Sequence, residues 1–110
     1  MKYRRLGKTE LNVSVIGLGT WQFGGEWGKE FTQTEVNAIF DAARANGITL
    51  IDTAECYGDH LSEKLVGEAI KQDRERWIVA TKFGHRFTGF NKRDPDYQEG
   101  KSTNRCDYLQ

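Results

Sequence analysis

Proline and cysteine are scarce in this chain, which has one proline and two cysteines among 110 residues. Cys56 and Cys106 make no disulfide scaffold of the kind that staples small secreted domains, and they read as reduced thiols of a cytoplasmic protein, with a single disulfide between them as the lesser alternative. Excess charge is missing too. Sixteen basic residues balance sixteen acidic ones, so no field draws the chain to nucleic acid or to an anionic membrane. No uninterrupted apolar run nears the roughly 20 residues that a membrane helix needs. The opening Met1-Lys2-Tyr3-Arg4-Arg5 is basic, yet no apolar segment follows it, so no secretory signal is expected. Aliphatic side chains fail in the last quarter, where residues 84–110 hold only Leu109 beside nine formal charges. Such a stretch contributes little core. Within one domain over residues 1–110, the foldable β/α portion is therefore 1–83, and 84–110 reads as a polar loop and an incomplete C-terminal segment.

What is present alternates between strand and helix signals. Leu11, Val13 and Val15 alternate with Asn12 and Ser14 after a turn at Gly7, which reads as a hairpin. Residues 16–19 form a short apolar run that opens into a glycine-rich loop, Thr20-Trp21-Gln22-Phe23-Gly24-Gly25. Thr32 with Glu35 three residues on is a capping box, and Val36, Ile39, Phe40 and Ala43 then recur on one helical face. Gly47 suits a left-handed C-terminal cap. Residues 48–52 are apolar until Asp52, as in a strand covered on both faces. Leu61, Leu65, Val66, Ala69 and Ile70 form the stripe of a second helix, in which Gly67 is expected to permit close packing. Residues 77–82 are a third apolar strand ending in Lys82. The order hairpin, β, α, β, α, β implies parallel strands joined by right-handed helical crossovers. Residues 84–104 read as a surface loop, with a helix able to begin near Ser102.

In parallel α/β folds, functional groups sit at the carboxyl ends of strands and in the loops that follow. Asp52, Tyr57 and Lys82 occupy such positions. Taken singly, each has a plain reading, as a turn aspartate, a surface aromatic and a solvated lysine. Taken together on one rim, they suggest acid catalysis. A tyrosine phenol titrates near 10 and gives up its proton reluctantly at neutral pH. An adjacent ammonium favours the phenolate, and a carboxylate keeps that ammonium charged and oriented. Such a group is suited to protonating a carbonyl oxygen as hydride reaches its carbon.

The motifs Gly17-Leu18-Gly19-Thr20-Trp21, Ile51-Asp52-Thr53-Ala54-Glu55-Cys56-Tyr57-Gly58, Ser62-Glu63 with Leu65-Val66-Gly67, and Ala80-Thr81-Lys82 resemble those of aldo-keto reductases in order and spacing. The likeness runs from residue 1 to about 85. It implies the N-terminal portion of a (β/α)8 TIM barrel, a hairpin plus about three β/α units, whose opening hairpin is similar to the plug of the barrel floor. It also implies NAD(P)H-dependent reduction of aldehydes or ketones to alcohols, with NADPH as cofactor, NADH as the other nicotinamide and a small carbonyl compound as substrate. Tyr57 would be the proton donor, Lys82 its tuner and Asp52 the partner of Lys82. Gly19, Thr20, Trp21 and Asp52 would line the cofactor cleft, with Trp21 also an apolar wall for substrate. A fourth member, a histidine at the end of the next strand, is expected beyond Gln110. His85 stands only three residues past Lys82 and does not take that role. The alternative class is a non-catalytic binding or regulatory subunit of the same fold, or a truncated, inactive remnant.

Rival motifs fail. Gly17-x-Gly19 is followed by Gln22 where a dinucleotide fingerprint needs a third glycine. Tyr97 and Lys101 have the four-residue spacing of another reductase class, but Pro95 and Gly100 oppose the helix that would align them. Cys56 and His60 find no second pair to complete a metal site, so no metal is expected.

Overall fold

The computed structural model describes residues 1–86 and 107–108. Strands β1 (Tyr3–Arg5) and β2 (Asn12–Ser14) form the expected antiparallel hairpin, pairing Tyr3 with Ser14 and Arg5 with Asn12. Gly7, at a φ of 56°, makes its turn. The hairpin is exposed apart from Val13 and Ser14, and polar bonds attach it to the body. The Tyr3 hydroxyl donates to the Gly47 carbonyl at 2.7 Å, and the Thr49 amide donates to Ser14 Oγ at 3.0 Å.

Strand β3 (Gly17–Gly19) leads into a 3-10 turn, Trp21–Gly24, and then helix α1 (Gln33–Ala45). The capping box forms as its sequence dictates. The Glu35 amide donates to Thr32 Oγ1 at 3.2 Å, and the Thr32 amide donates back to the Glu35 carboxylate at 3.0 Å. Strand β4 (Leu50–Asp52), helix α2 (Leu61–Ile70), a 3-10 turn at Arg74–Arg76 and strand β5 (Ile78–Ala80) follow. The strands run parallel in the order β3-β4-β5, with Leu18, Ile51 and Val79 level on the middle rung. The two helices of the crossovers pack together over this sheet. Val36, Phe40, Ile51, Val66, Ile70 and Trp77 form the buried core between them. Phe40 meets Trp77 edge-on at 5.3 Å between ring centroids. Truncating a buried aromatic of this kind costs about 3 to 5 kcal/mol.

Four expectations change. The strands are shorter than the apolar runs that encode them, and Ile16, 54% exposed, lies outside the ladder. Ile78 and Val79 are only half-buried, because three parallel strands leave part of the sheet uncovered and do not close a barrel among the described residues. Gly67 does not serve close packing, since a Cβ added there meets nothing within 4 Å. Strand β6 (His85–Arg86) pairs antiparallel with β7 (Asp107–Tyr108) inside the region read as loop and tail. The helix expected near Ser102, and the Tyr97 and Lys101 pair, lie outside the described residues. No helix among the described residues is long and apolar enough to cross a membrane.

Candidate active site

The parallel register sets Gly19, Asp52 and Ala80 on one rung at the carboxyl edge of the sheet. Backbone pairing continues past the strand ends, with Thr20 N donating to Asp52 O at 3.0 Å and Thr53 N to Ala80 O at 2.9 Å. This extension fixes Lys82 over the end of β4. Its ammonium donates to Thr53 O at 2.8 Å, to Asp52 Oδ1 at 3.0 Å and to Tyr57 Oη at 3.3 Å. An ammonium has three N–H bonds, and here each has an acceptor. The third falls on a lone pair of the phenol oxygen, so the phenol's own proton is left to point elsewhere. Partial burial works against the charge on Lys82, but the bonds to Asp52 and Tyr57 and the charges behind them outweigh it and raise the lysine's pKa.

Tyr57 is held through its backbone. Its amide donates to Ala54 O at 3.2 Å, and its carbonyl accepts from Ser62 N at 3.1 Å. Gly58, Asp59 and His60 follow in left-handed conformations, with φ of 68°, 51° and 69°. Two of these are not glycine, a strained arrangement that costs about 1 to 3 kcal/mol per residue. It is sustained by His60 N donating to Glu55 O at 2.8 Å and Lys64 N donating to His60 O at 3.0 Å. Behind Tyr57 the backbones of Gly24 and Gly58 touch. A Cβ on Gly24 would lie 2.6 Å from Gly58 N, so the 3-10 turn after β3 and the tyrosine loop meet without side chains between them. Glu26 accepts from the Gly58 amide at 3.4 Å across the same junction.

Beneath this rim lies a cluster of hydroxyls. Thr20, Thr53 and Ser62 are each 1% exposed or less. Ser62 Oγ donates toward Thr20 O and Thr20 Oγ1, both at 2.9 Å, and lies 3.0 Å from Thr53 Oγ1. Thr20 Oγ1 in turn donates to Asp52 O at 3.0 Å.

Asp52, Tyr57 and Lys82, chosen from sequence, thus meet at hydrogen-bond distance. Gly19 and Trp21 are exposed on the same edge, whereas Thr20 is fully buried and supports that edge from below. Trp27 sits 6.4 Å from Trp21 and is 66% exposed. From sequence the aromatics outside the site read as core, which Trp27 is not. The hydroxyl cluster was also missed, although one signal existed. Ser62 shares the helical stripe of Leu65, Val66 and Ala69, where a polar residue is out of place. Cys56 is buried and disulfide-bonded rather than a reduced thiol. Cys106 lies outside the described residues. Among the described residues no three His, Cys, Asp or Glu side chains gather as metal ligands.

The model of the Aldo/keto reductase family matches residues 15–108. The aldo-keto reductase YhdN of Bacillus subtilis is 47% identical over 85 residues, which cover 74% of this chain and 25% of that protein. The aldo-keto reductase AKR11C1 of Bacillus halodurans, solved in its holo form, superimposes with a TM-score of 0.71 at 37% identity, covering 84% of this chain and 29% of the other. An aldo-keto reductase of Klebsiella pneumoniae in complex with NADPH superimposes with a TM-score of 0.58 at 35% identity, covering 72% and 27%. The chain spans about a quarter of the length of the curated relatives it matches.

Proposed function

Because this chain belongs to the Aldo/keto reductase family of oxidoreductases, we propose that it forms the N-terminal portion of a (β/α)8 barrel that reduces aldehydes or ketones to alcohols at the expense of NADPH, with NADH as the other nicotinamide. One observation supports this above the rest, the Lys82 ammonium held between Asp52 Oδ1 at 3.0 Å and Tyr57 Oη at 3.3 Å. The place of action that suits a reduced nicotinamide is the cytoplasm.

The residues present fit one end of such a cofactor. A Cβ on Gly19 would meet nothing within 4 Å, so the backbone there is open to a flat group laid against it. Beside it the Asp52 side chain is 54% exposed and keeps acceptor capacity for a sugar hydroxyl. Gly19, Trp21 and Asp52 would hold the nicotinamide end, and Thr20 would fix their backbone from beneath. A reduced nicotinamide bound there supplies the hydride.

The chain's own side chains manage the proton. The Tyr57 O–H, left free by the direction of the Lys82 bond, donates to the carbonyl oxygen of the substrate and becomes the C–O–H of the alcohol. Lys82 stabilises the phenolate that remains, and Asp52 keeps Lys82 charged and in place. Trp21 and Trp27 form an aromatic edge against which an apolar carbonyl compound would lie.

The test uses the intact protein with NADPH and a panel of aldehydes that includes a nitro-substituted benzaldehyde, followed by loss of absorbance of the reduced cofactor. Turnover with at least one aldehyde is expected. No turnover with either nicotinamide would give the site to the non-catalytic reading.

A further inference from the structure

We propose that Ser62 is a positioning residue for this chemistry, setting the Tyr57 phenol against Lys82 through a closed ring of buried hydroxyls. The proposal rests on the reductase reading above.

The side chain of Ser62 does nothing for its own helix. It is the second residue of α2, and the cap position is taken by His60, which makes no side-chain cap. The hydroxyl instead turns inward, fully buried, to the ends of the neighbouring strands. Its single proton goes to Thr20, at 2.9 Å. Thr53 Oγ1, 3.0 Å away, must then be the donor to Ser62. Thr20 Oγ1 passes its proton to the Asp52 carbonyl at 3.0 Å, and that carbonyl belongs to the peptide bond leading into Thr53. Thr53, Ser62, Thr20 and Asp52 are therefore linked by hydrogen bonds into a circuit that the Asp52–Thr53 peptide bond closes.

Each member of the circuit is one step from the chemistry. Asp52 accepts from Lys82, and the Thr53 carbonyl accepts from the same ammonium at 2.8 Å. The amide of Ser62 holds the Tyr57 carbonyl at 3.1 Å. Ser62 is thus bonded at once to the tyrosine loop and to the ends of β3 and β4. A ring of aligned hydroxyls in a dry interior is stiff, and a lost member leaves buried groups without partners. The slack falls on the 3.3 Å separation of Tyr57 from Lys82.

The experiment is Ser62→Ala in the intact protein. Displacements of about 1 Å cost up to roughly 100-fold in rate, so kcat should fall about 10- to 100-fold while KM for NADPH and aldehyde stays within about twofold. In a Tyr57→Phe background the same substitution should cost nothing further, because two residues acting through one step are not additive. Val36→Ala, in the core away from the rim, should lower the melting temperature and leave kcat unchanged. Ser62→Cys retains bulk while weakening the bonds, and it replaces Ser62→Ala with the same expectations where the alanine protein does not fold. A wild-type kcat, or a loss that persists undiminished without the Tyr57 hydroxyl, would overturn the role. The crystal structure of the variant reads the same inference without turnover, with Tyr57 Oη expected beyond hydrogen-bond reach of Lys82 Nζ. An unmoved phenol would overturn it. A wild-type protein inactive toward every carbonyl would count against the reductase reading, and the crystallographic distance would then decide the case of Ser62.

Discussion

Tyr57 Oη accepts a hydrogen bond from Lys82 Nζ at 3.3 Å although 25 residues separate them in the chain. Neither side chain reaches the other by local folding. The tyrosine arrives on a strained loop after β4, and the lysine two residues beyond β5. Their meeting records the register of two parallel strands, so a slip between β4 and β5 would separate the phenol from the ammonium that tunes it.

Tyr57→Phe keeps the ring and removes the donated proton. In the intact protein kcat should fall by about 10² to 10⁴, the usual worth of general acid catalysis, while NADPH affinity measured by fluorescence titration barely changes. A variant within threefold of wild type would remove Tyr57 from the mechanism.

Lys82→Met withdraws the donor from three acceptors together, the Asp52 carboxylate, the Thr53 carbonyl and the Tyr57 hydroxyl. A rate loss similar to that of Tyr57→Phe is expected, again about 10² to 10⁴. Lys82→Arg should rescue little of it. A planar guanidinium cannot direct three N–H bonds into the tetrahedral spread that these acceptors require. Full activity in the arginine variant would show that charge alone matters.

Gly58→Ala places a methyl group into the Gly24 carbonyl at a residue whose φ is 68°. The left-handed backbone alone costs about 1 to 3 kcal/mol with a side chain present. Because Gly58 follows Tyr57, the loss should appear in kcat as well as in the melting temperature. Equal stability and rate in the alanine protein would show that the two loops need not touch.

A pH effect on stability should arise far from the site. Arg44 donates to Asp73 Oδ2 at 2.7 Å and to Oδ1 at 2.8 Å, joining α1 to the segment after α2. These bonds hold the Asp73 carboxyl down at about 2, from an ordinary 3.8. A carboxyl depressed by folding stabilises above its unfolded pKa and loses that contribution as pH falls toward its folded value. Asp73→Asn should therefore melt below wild type at pH 7, and the gap should close between about pH 4 and 2. Thermal melts across that range decide it, and a gap constant with pH would mean the pair contributes no linkage.

Much of this arrangement was legible in the residues. The capping box at Thr32 and Glu35 names the start of α1 because both halves of the bond lie within four residues. Asp52 and Lys82 each end an apolar run, which marks the carboxyl edge of a parallel sheet. What escaped is whatever depends on contact between distant segments. The meeting of Gly24 with Gly58 leaves only two glycines in the sequence, each ordinary in a loop. Ser62 falls on the apolar stripe of α2, but nothing in the sequence names Thr20 and Thr53 as its partners. Strand ends were overrun at Ile16 and Trp77, because an apolar run does not mark where ladder pairing starts.

The bonds that attach the opening hairpin have a consequence for the order in which the protein is made. Ser14 and Thr49 exchange two hydrogen bonds across 35 residues of chain. A two-stranded hairpin alone is marginal in water. At a synthesis rate of about 5 to 20 residues per second, its anchor follows about 2 to 7 seconds later. A hairpin forms within roughly 1 to 10 μs, so the arrival of residue 49, not the pairing of β1 with β2, is the slow event in fixing it. The hairpin is thus fixed only once strand β4 has been made, and until then its apolar residues, Leu6 and Leu11 among them, stay open to solvent.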